Sequence, residues 1–301
     1  MTHSPPHHRN RPVTVREAIH LLTTSFEPAA GDLAREEAET TLITLLGVTR
    51  HELYLGDNPP LTRPVAQRLC RIIRRRRSGT PLAYALGMTY FHSAELRVTP
   101  DVLIPRPDTE TLVEMVLDNE GPGELLLLDM GTGSGALTTV LLRLRQSWRA
   151  VATDISPKAL RVAAANTAGL PVHLVCADRI EAIRCTDQPF DLVVSNPPYV
   201  TRDELETLDR QVRDFEPRIA LDGGPDGLDF YRYLAAHAAR VLRPDGRLYV
   251  EIGASQADAV TALLEHEGWR AISVRRDLGD RPRAVRAVRP AGHSRHRQRG
   301  Q

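Results

Sequence analysis

Hydrophobic positions in the first quarter of the chain recur at helical spacing. In LAREEAETTLITLLG the apolar residues fall along one helical face, and Gly47 ends the pattern as a helix C-cap. The preceding stretch TVREAIHLL starts at Thr14 with Glu17 three residues later, which is the spacing of a capping box. A further helix is predicted from Leu61 to Arg77. These elements predict a small all-helical domain over residues 14–86.

The apolar pattern becomes extended after this helical region. Residues 87–107 contain TYFHSAELRV followed by TPDVLIPRP, which together indicate two short strands with a proline-bounded exit. We therefore interpret residues 87–107 as a β-hairpin linker between the helical domain and a second domain.

Short apolar strands then alternate with helical segments over residues 108–290. The predicted strands are LLLLDMG, AVATDIS, PVHLVCA, FDLVVS, GRLYVEIG, AISVRRD and RAVRAV. Strands separated by helices predict an α/β, doubly wound and mostly parallel sheet, which binds its ligand at the carboxyl ends of the strands. The short connection between the last two strands favours an antiparallel edge.

Composition narrows the class of protein without identifying it. The 301 residues are 42% hydrophobic and 26% charged, with a net charge of +1, so no global attraction to nucleic acid or membrane is indicated. Only Lys158 among the 39 basic residues is a lysine. Because arginine is used so one-sidedly, we interpret the run from Arg71 to Arg77 as a solvated helix end rather than as a polyanion contact.

The cysteines and the chain ends favour a cytoplasmic protein. Cys70, Cys176 and Cys185 have neither metal-ligand nor redox spacing, and no apolar stretch approaches the length of a membrane span. Residues 1–13 lack the apolar core of a signal peptide, and residues 291–301 are polar and contain no acid. We expect both ends to be disordered and expect no metal site.

The loop in LLLLDMGTGSGAL is the first candidate binding site. Gly131, Gly133 and Gly135 stand where a strand turns sharply into a helix, so a ligand can approach the backbone and an anionic group is favoured there. Taken alone the loop is ambiguous, because Gly131, Gly133 and Ala136 also satisfy the dinucleotide fingerprint G-x-G-x-x-A.

Acidic residues follow or end the neighbouring strands. Asp154 is the expected partner of a ribose diol, although Asp-x-Ser-Pro can also cap a helix that starts at Pro157. Asp178 is placed to reach an adenine amino group, with Arg179 beside it lining the pocket. Asp129 holds either an ammonium group or the loop itself, and the sequence leaves both interpretations open.

The stretch SNPPYV follows the fourth strand at the same edge of the sheet. Its two prolines remove two backbone donors and stiffen the chain, so nearby carbonyls are available as acceptors. The Asn196 side-chain oxygen and the Pro197 carbonyl can each accept one hydrogen of a planar NH2, either a carboxamide or an exocyclic base amine. Tyr199 is expected to pack on that planar group or beside a cationic centre. A methyl group on a sulfonium, transferred in line, is the electrophile that suits such a nitrogen.

Together the two motifs carry a family resemblance. The D-x-G-T-G-S-G loop with Asn-Pro-Pro-Tyr resembles class I S-adenosylmethionine-dependent methyltransferases that act on planar nitrogens. Within that group the chain resembles the HemK/PrmC family, the N5-glutamine methyltransferases of peptide chain release factors, over residues 14–290. The further segments that carry the resemblance are GTPLAYALG, VLIPRPDTETLVE, TDISPKAL, EPRIALDGGPDGLDFYR and EIGASQ.

The resemblance implies a fold, a cofactor and a substrate. It implies a seven-stranded Rossmann-like methyltransferase sheet, S-adenosylmethionine as the cofactor, and the glutamine of the release factor's Gly-Gly-Gln motif as the methyl acceptor. The N-terminal domain would dock the release factor, and we expect a monomer that binds neither membrane nor nucleic acid directly. The implied cofactor-binding residues are Gly131, Thr132, Gly133, Ser134, Gly135, Asp154, Asp178, Arg179 and Asn196.

The resemblance also assigns the substrate side of the site. Asn196, Pro197, Pro198 and Tyr199 would bind the target glutamine, and Asn196, Pro197 and Tyr199 would be catalytic. The chain departs from the family pattern at Asp108, where glutamate is usual, at Arg179, often aromatic or apolar, and at Asp280 in DLGDRPRAV.

Four alternatives remain open on the sequence. A ribosomal-protein glutamine methyltransferase shares the same acceptor chemistry, and an adenine N6-methyltransferase would flip a base into the same site. A nicotinamide oxidoreductase would explain the glycine loop but leave SNPPYV without a task. The last alternative is a binding module on an inactive methyltransferase fold.

Overall fold

The computed structural model describes residues 13–55, 58–183 and 189–290. The disordered lead-in predicted for residues 1–13 lies outside the described residues except for Val13, and the predicted tail over residues 291–301 lies outside them entirely. The chain divides into two compact units, Met1–Leu86 and Gly87–Gln301.

The first unit is helical throughout its regular elements, as predicted. In the predicted capping box, the Thr14 hydroxyl accepts from the Glu17 backbone N–H at 3.4 Å, and the Glu17 carboxylate accepts from the Thr14 N–H at 2.9 Å. Gly47 ends the second helix in the left-handed conformation with φ of 66°. The helices are α1 (Val15–Ala30), α2 (Ala34–Leu46), α3 (Arg50–Leu55), α4 (Arg63–Arg77) and α5 (Leu82–Leu86).

One member of the predicted solvated arginine run is buried. Arg76, on α4, is 0% exposed, and its guanidinium donates to both carboxylate oxygens of Glu37 at 2.6 and 2.7 Å. The planar fork of arginine matches a carboxylate in this bidentate way, which makes burial of the charge tolerable. The other members, Arg71, Arg74, Arg75 and Arg77, are exposed as expected.

The β-hairpin spans Met88–Arg97, almost all of it within TYFHSAELRV. Strands β1 (Met88–Phe91) and β2 (Ala94–Arg97) pair antiparallel, and Phe91 and Leu96 are buried in a cluster that includes residues of the large sheet. The segment TPDVLIPRP contains no strand among its described residues, since its three prolines lack the N–H that a ladder needs. By its contacts the hairpin belongs to the second unit.

The second unit has the predicted α/β, mostly parallel, seven-stranded sheet. The strand order is β5-β4-β3-β6-β7-β9-β8, and only β9 runs antiparallel to both of its neighbours, so the predicted antiparallel edge is confirmed. The strands are β3 (Leu126–Met130), β4 (Arg149–Asp154), β5 (Val172–Cys176), β6 (Phe190–Ser195), β7 (Leu242–Glu251), β8 (Arg270–Arg276) and β9 (Pro282–Val288).

Helices pack on both faces of this sheet. Leu127 of β3 packs with α6 and α7, whereas Leu128 packs on the other face with α11 and α12, as the alternation of strand side chains requires. Helices α6, α9 and α10 were not among the predicted elements. The helices are α6 (Glu110–Asn119), α7 (Ala136–Leu144), α8 (Pro157–Asn166), α9 (Arg202–Leu205), α10 (Arg210–Phe215), α11 (Asp229–His237) and α12 (Ala257–His266).

The topology brings the two sequence motifs together. The order of the five parallel strands reverses between β3 and β6, which is the switch point where doubly wound sheets bind ligands. The glycine loop follows β3, and SNPPYV begins at the last residue of β6. In the described part of the chain no helix is both long and apolar enough to span a membrane.

Candidate active site

A cavity of about 630 Å³ opens at the carboxyl ends of the parallel strands. Three predicted site residues, Gly135, Pro197 and Tyr199, do not line it. The predicted residues that line it are Gly131, Thr132, Gly133, Ser134, Asp154, Asp178, Arg179, Asn196 and Pro198. The structure therefore brings most of the glycine-loop residues and two of the four predicted SNPPYV residues into one space.

The three glycines of the loop have two different roles. All have positive φ, at 73°, 55° and 79° for Gly131, Gly133 and Gly135. A Cβ at Gly131 or Gly133 would meet no protein atom within 4 Å, so space for a ligand remains open there. A Cβ at Gly135 would lie 3.3 Å from Ala163 and Thr167, so this glycine serves the close packing of α7 against α8.

Asp154 ties the glycine loop to the end of β4. Its Oδ2 accepts from the Gly133 N–H at 2.9 Å, and its Oδ1 accepts from the Ser156 N–H at 2.8 Å. Burial raises the pKa of Asp154, and these two backbone bonds oppose that shift. The Asp-x-Ser-Pro stretch does cap the helix that starts at Pro157: the cap is Ser156, which accepts from the Ala159 N–H, and Asp154 holds the Ser156 N–H.

Asp129 holds the glycine loop in place from the buried end of β3. It is fully buried, and its Oδ2 accepts from the hydroxyls of Thr132 at 2.7 Å and Thr138 at 2.6 Å. Burial raises the pKa of Asp129, and the two hydroxyl bonds oppose the rise. Of the two interpretations left open, the structure shows the carboxylate holding the loop to the first turn of α7.

Asp178 and Arg179, the two residues predicted for an adenine side of the site, have different surroundings. The Arg179 guanidinium lies 4.4 Å from the ring centroid of Tyr233 and 5.4 Å from that of Phe230, so it stacks on aromatic side chains of α11. Phe230 also lines the cavity, although the sequence analysis did not single it out. The Asp178 side chain is 65% exposed.

The Asn196 amide is oriented by a residue distant in the sequence. Its Nδ2 donates to the Thr109 hydroxyl at 3.0 Å, which directs Oδ1 away from Thr109. Just before it, the Ser195 hydroxyl donates to the Met130 carbonyl at 2.7 Å and joins the end of β6 to the end of β3. These two bonds hold Asn196 beside the glycine loop. The Asn196 Oδ1 atom is not bonded to Thr109.

Tyr199 points into the protein rather than lining the cavity. Its hydroxyl donates to Glu251 Oε1 at 3.3 Å. Burial and the neighbouring Glu251 raise the pKa of Tyr199 well above its usual range, so the phenol stays protonated. Its predicted packing on a planar substrate group stays a prediction.

The backbone of SNPPYV rests on the glycine-rich stretch LDGGPDGLD, for which no site role was predicted. A Cβ at Gly223 would lie 2.7 Å from the Tyr199 Cα, and a Cβ at Gly227 would lie 2.4 Å from the Tyr199 carbonyl oxygen. The Gln256 side chain donates to the carbonyls of Tyr199 at 3.0 Å and Gly227 at 3.2 Å. Only residues without a side chain allow this close approach.

An ion pair between the partly exposed Arg106 and the buried Glu216 joins two loops of the cavity wall. Arg106 donates to Glu216 Oε1 at 2.5 Å, and the Ile104 N–H donates to Glu216 Oε2 at 3.3 Å. Burial raises the pKa of Glu216, and Arg106 opposes that rise. The pairing holds the proline-rich segment around Pro105 against the segment that contains Pro217, and both prolines line the cavity.

Comparisons with known proteins cover both units. The family model described as the PrmC N-terminal domain matches residues 17–87, and the one described as a methyltransferase domain matches residues 127–215. The release factor glutamine methyltransferase of Cereibacter sphaeroides is 40% identical over 91% of this chain and 98% of its own length. That of Moorella thermoacetica is 40% identical over 92% of this chain and 99% of its own length. This chain belongs to the release factor glutamine methyltransferase family.

Family membership confirms the resemblance inferred from the two motifs and decides against the oxidoreductase and the inactive binding module. The protein of the same name from Geobacter sulfurreducens is 41% identical over 85% of this chain and 90% of its own length. Among solved structures, the hMettl16 catalytic domain in complex with MAT2A 3′UTR hairpin 6 has a TM-score of 0.52 at 16% identity. The match covers 75% of this chain and 82% of that chain and shows the shared methyltransferase fold.

Proposed function

We propose that this protein transfers a methyl group from S-adenosylmethionine to the side-chain amide nitrogen, N5, of the glutamine in the Gly-Gly-Gln motif of a peptide chain release factor. The observation that carries the proposal is the Asn196 amide, whose Nδ2 is engaged by Thr109 beside the glycine loop. The family's other members bear the name of this activity and match nearly the whole chain.

The glycine-loop side of the cavity fits S-adenosylmethionine in shape and chemistry. The open space above Gly131 and Gly133 admits a ligand against the backbone. The Asp154 carboxylate supplies acceptors for ribose hydroxyls, and Phe230 offers a flat apolar surface for a base. When bound, this cofactor supplies a methyl group on a positively charged sulfur. We propose that Gly131, Thr132, Gly133, Ser134, Asp154, Asp178 and Arg179 hold it, with Gly135 packing α7 against α8 behind the loop and Asn196 bordering the cofactor without contributing much to its affinity.

Asn196 and Pro197 act on the glutamine amide by accepting its hydrogens. A primary amide nitrogen is a poor nucleophile because its lone pair is delocalised into the carbonyl group. Two acceptors, Asn196 Oδ1 and the Pro197 carbonyl, hold both hydrogens, increase electron density on the nitrogen and fix its direction. No general base is needed beforehand, because transfer of the methyl group leaves the nitrogen positively charged, and this cationic N-methyl amide is strongly acidic and loses one of its two hydrogens as a proton afterwards.

Part of the cavity wall is apolar. Pro105, Pro198, Pro217, Ile219 and Ala220 line the cavity, and the Arg106–Glu216 pair ties together the two loops that carry most of them.

The first unit is the proposed docking site for the release factor. The match of residues 17–87 to the PrmC N-terminal domain supports this, and the unit presents exposed apolar side chains at Leu21, Leu33 and Leu55. We propose that the protein acts as a monomer in the cytoplasm.

A labelled transfer reaction tests the function. The purified protein is incubated with methyl-labelled S-adenosylmethionine and a release factor, or the same factor with the motif glutamine changed to alanine. We expect label only in the first, mapped by mass spectrometry to that glutamine. Label in ribosomal protein or in nuclease-sensitive material from a lysate would replace the release factor with one of the two alternative substrates.

A further inference from the structure

The two ends of SNPPYV are joined through the rest of the protein by a closed ring of polar contacts. Glu216, a buried carboxylate outside the motif, closes this ring. We infer that Glu216 is a positioning residue, which holds the segment before Thr109 and thereby keeps Asn196 in the geometry that an acceptor needs. The inference rests on the proposed function and assigns a further residue to it.

The start of the motif is held by Thr109, at the end of a turn that begins at Arg106. The Asn196 Nδ2 donates to the Thr109 hydroxyl at 3.0 Å, and the Thr109 N–H donates to the Arg106 carbonyl at 3.1 Å. Pro105 and Pro107 flank Arg106 and have no N–H, so a backbone ladder cannot hold this segment. The position of the Thr109 hydroxyl therefore depends on α6, which follows it, and on the contacts that hold Arg106.

Glu216 holds the segment with both of its carboxylate oxygens. Its Oε1 accepts from the Arg106 guanidinium at 2.5 Å, and its Oε2 accepts from the Ile104 N–H at 3.3 Å. The two donors lie on either side of Pro105, so one carboxylate fixes the chain before and after this proline. The Glu216 side chain is 1% exposed, which leaves little room for water to replace these bonds.

The segment that follows Glu216 holds the end of the motif. The Val200 N–H donates to the Leu221 carbonyl at 2.9 Å, and the Gly223 N–H donates to the Val200 carbonyl at 2.8 Å. Glu216 itself directly follows α10, and its N–H donates to the Val212 carbonyl at 3.0 Å. Both sides of Glu216 along the chain are therefore tied to regular backbone contacts.

Together these contacts make one ring around the two prolines. One half runs from Asn196 through Thr109 to the Arg106–Glu216 pair, which joins positions 110 residues apart. The other half runs from Glu216 through a single 3-10 turn over residues 218–220 to Val200. Loss of the Glu216 contacts opens the ring and frees the turn that carries Thr109. Because a displacement of about 1 Å near a reacting group can lower a rate about 100-fold, such freedom is expected to reduce turnover.

A pair of substitutions at Arg106 tests the contact. The Arg106 side chain is 34% exposed, so replacements there are expected to fold. Arg106→Lys keeps a cation that can donate to Glu216 Oε1, and kcat should stay within about fivefold of the unaltered protein. Arg106→Met keeps the length but removes the donor, and we expect kcat to fall about 10- to 100-fold. Equal losses in the two variants, or none in Arg106→Met, would overturn the inference.

Arg247→Met is the matched control. Arg247 pairs with the buried Glu120, and neither residue lines the cavity, so this variant also leaves a buried glutamate without its arginine. Compared at equal fractions folded, it should keep kcat within about threefold. In Arg106→Met the dissociation constant for S-adenosylmethionine should change by no more than about threefold, since the glycine loop does not belong to the ring. A loss in Arg247→Met as large as that in Arg106→Met would reduce Glu216 to a stabilising role.

A readout independent of activity follows the Asn196 amide itself. Its side-chain NH2 signals in ¹H–¹⁵N NMR spectra are assigned by their absence in Asn196→Ala. Thr109→Val, which removes the hydroxyl that Nδ2 contacts, shows how far the signals move when the contact is lost. Arg106→Met and Glu216→Ala should shift the signals in the same direction, and Arg247→Met should leave them in place. Signals that move in Thr109→Val but in neither ring variant would refute the positioning role.

The outcomes separate this inference from the proposed function. Asn196 signals that depend on Glu216, in a protein that does not methylate a release factor, would keep the positioning role and remove the substrate assignment. Methylation of the motif glutamine, with Asn196 signals and kcat indifferent to the Arg106–Glu216 pair, would keep the function and reject the ring as its support.

Discussion

The two halves of the cavity are built from contacts of different range along the chain. On the glycine-loop side, Asp129 binds Thr132 three residues away and Asp154 binds Gly133 at a separation of 21 residues. On the amide side, Asn196 binds Thr109 at a separation of 87 residues and Tyr199 binds Glu251 at a separation of 52. The first half is close to a self-contained strand–loop–helix unit, whereas the second exists only once the sheet is complete.

We expect the two sides to have different tasks, ligand binding on the loop side and positioning of the acceptor on the amide side. The loop side offers backbone, open space and a carboxylate, which suffice to hold a ligand. The amide side offers one acceptor, Asn196 Oδ1, whose direction is set by Thr109, and Glu251 and Gln256 hold the same motif at Tyr199. We therefore expect substitutions on the loop side to change cofactor affinity and substitutions on the amide side to change turnover.

The largest expected effect is that of Asn196→Ala. Loss of the side-chain acceptor should lower kcat by about 1,000-fold, in the range seen when a single preorganised polar group is removed from an active site. The dissociation constant for S-adenosylmethionine, measured by calorimetry, should change by no more than about threefold. Normal turnover in this variant would remove Asn196 from the chemistry.

The next effect tests the glycine support of the motif. Gly227→Ala places a Cβ 2.4 Å from the Tyr199 carbonyl oxygen, so the motif must move, and we expect kcat to fall by about 100-fold. Gly169→Ala is the matched control: its φ of 80° resembles the 75° of Gly227, but its Cβ meets nothing within 4 Å. Steady-state kinetics of both variants, at equal fractions folded, measure the difference. Similar losses in the two would mean that backbone strain alone is responsible.

A smaller effect is expected on the loop side. Asp154→Ala removes the acceptor for two backbone N–H groups and the proposed ribose contact, so the dissociation constant for S-adenosylmethionine should rise by about tenfold. At saturating cofactor, kcat should stay near that of the unaltered protein. Unchanged cofactor affinity would remove Asp154 from the binding site and weaken the distinction between the two halves.

The smallest effect concerns stability rather than rate. The pKa of Glu251 is raised from 4.5 to about 7, so the folded protein binds this proton more tightly than the unfolded chain does. Stability from this group is therefore present at low pH and is lost as pH rises from about 4.5 to 7, by about 3 kcal/mol at most. Denaturant unfolding should show Glu251→Gln gaining stability relative to the unaltered protein over that window. Parallel pH profiles would contradict it.

Prediction from the sequence succeeded where a signal is contained in a short stretch. The capping box at Thr14, the C-cap at Gly47 and the strand–glycine loop–helix unit all form as predicted, because each depends on neighbouring residues. Helix α6 was missed because the proline-rich segment before it masks its beginning. Arg76 was placed with its exposed neighbours, since nothing in the run of arginines marks the one that meets Glu37.

The sequence by itself determined the sheet, the glycine loop and the presence of an acceptor at Asn196, because strand periodicity, backbone freedom and side-chain chemistry are local properties. Only the tertiary structure decided which way that acceptor faces. Thr109, Gln256 and Glu251 reach the motif from 52 to 87 positions away, and no local pattern encodes such a meeting. Orientation of a side-chain amide is set by its hydrogen-bond partners, and here folding of the whole sheet supplies them.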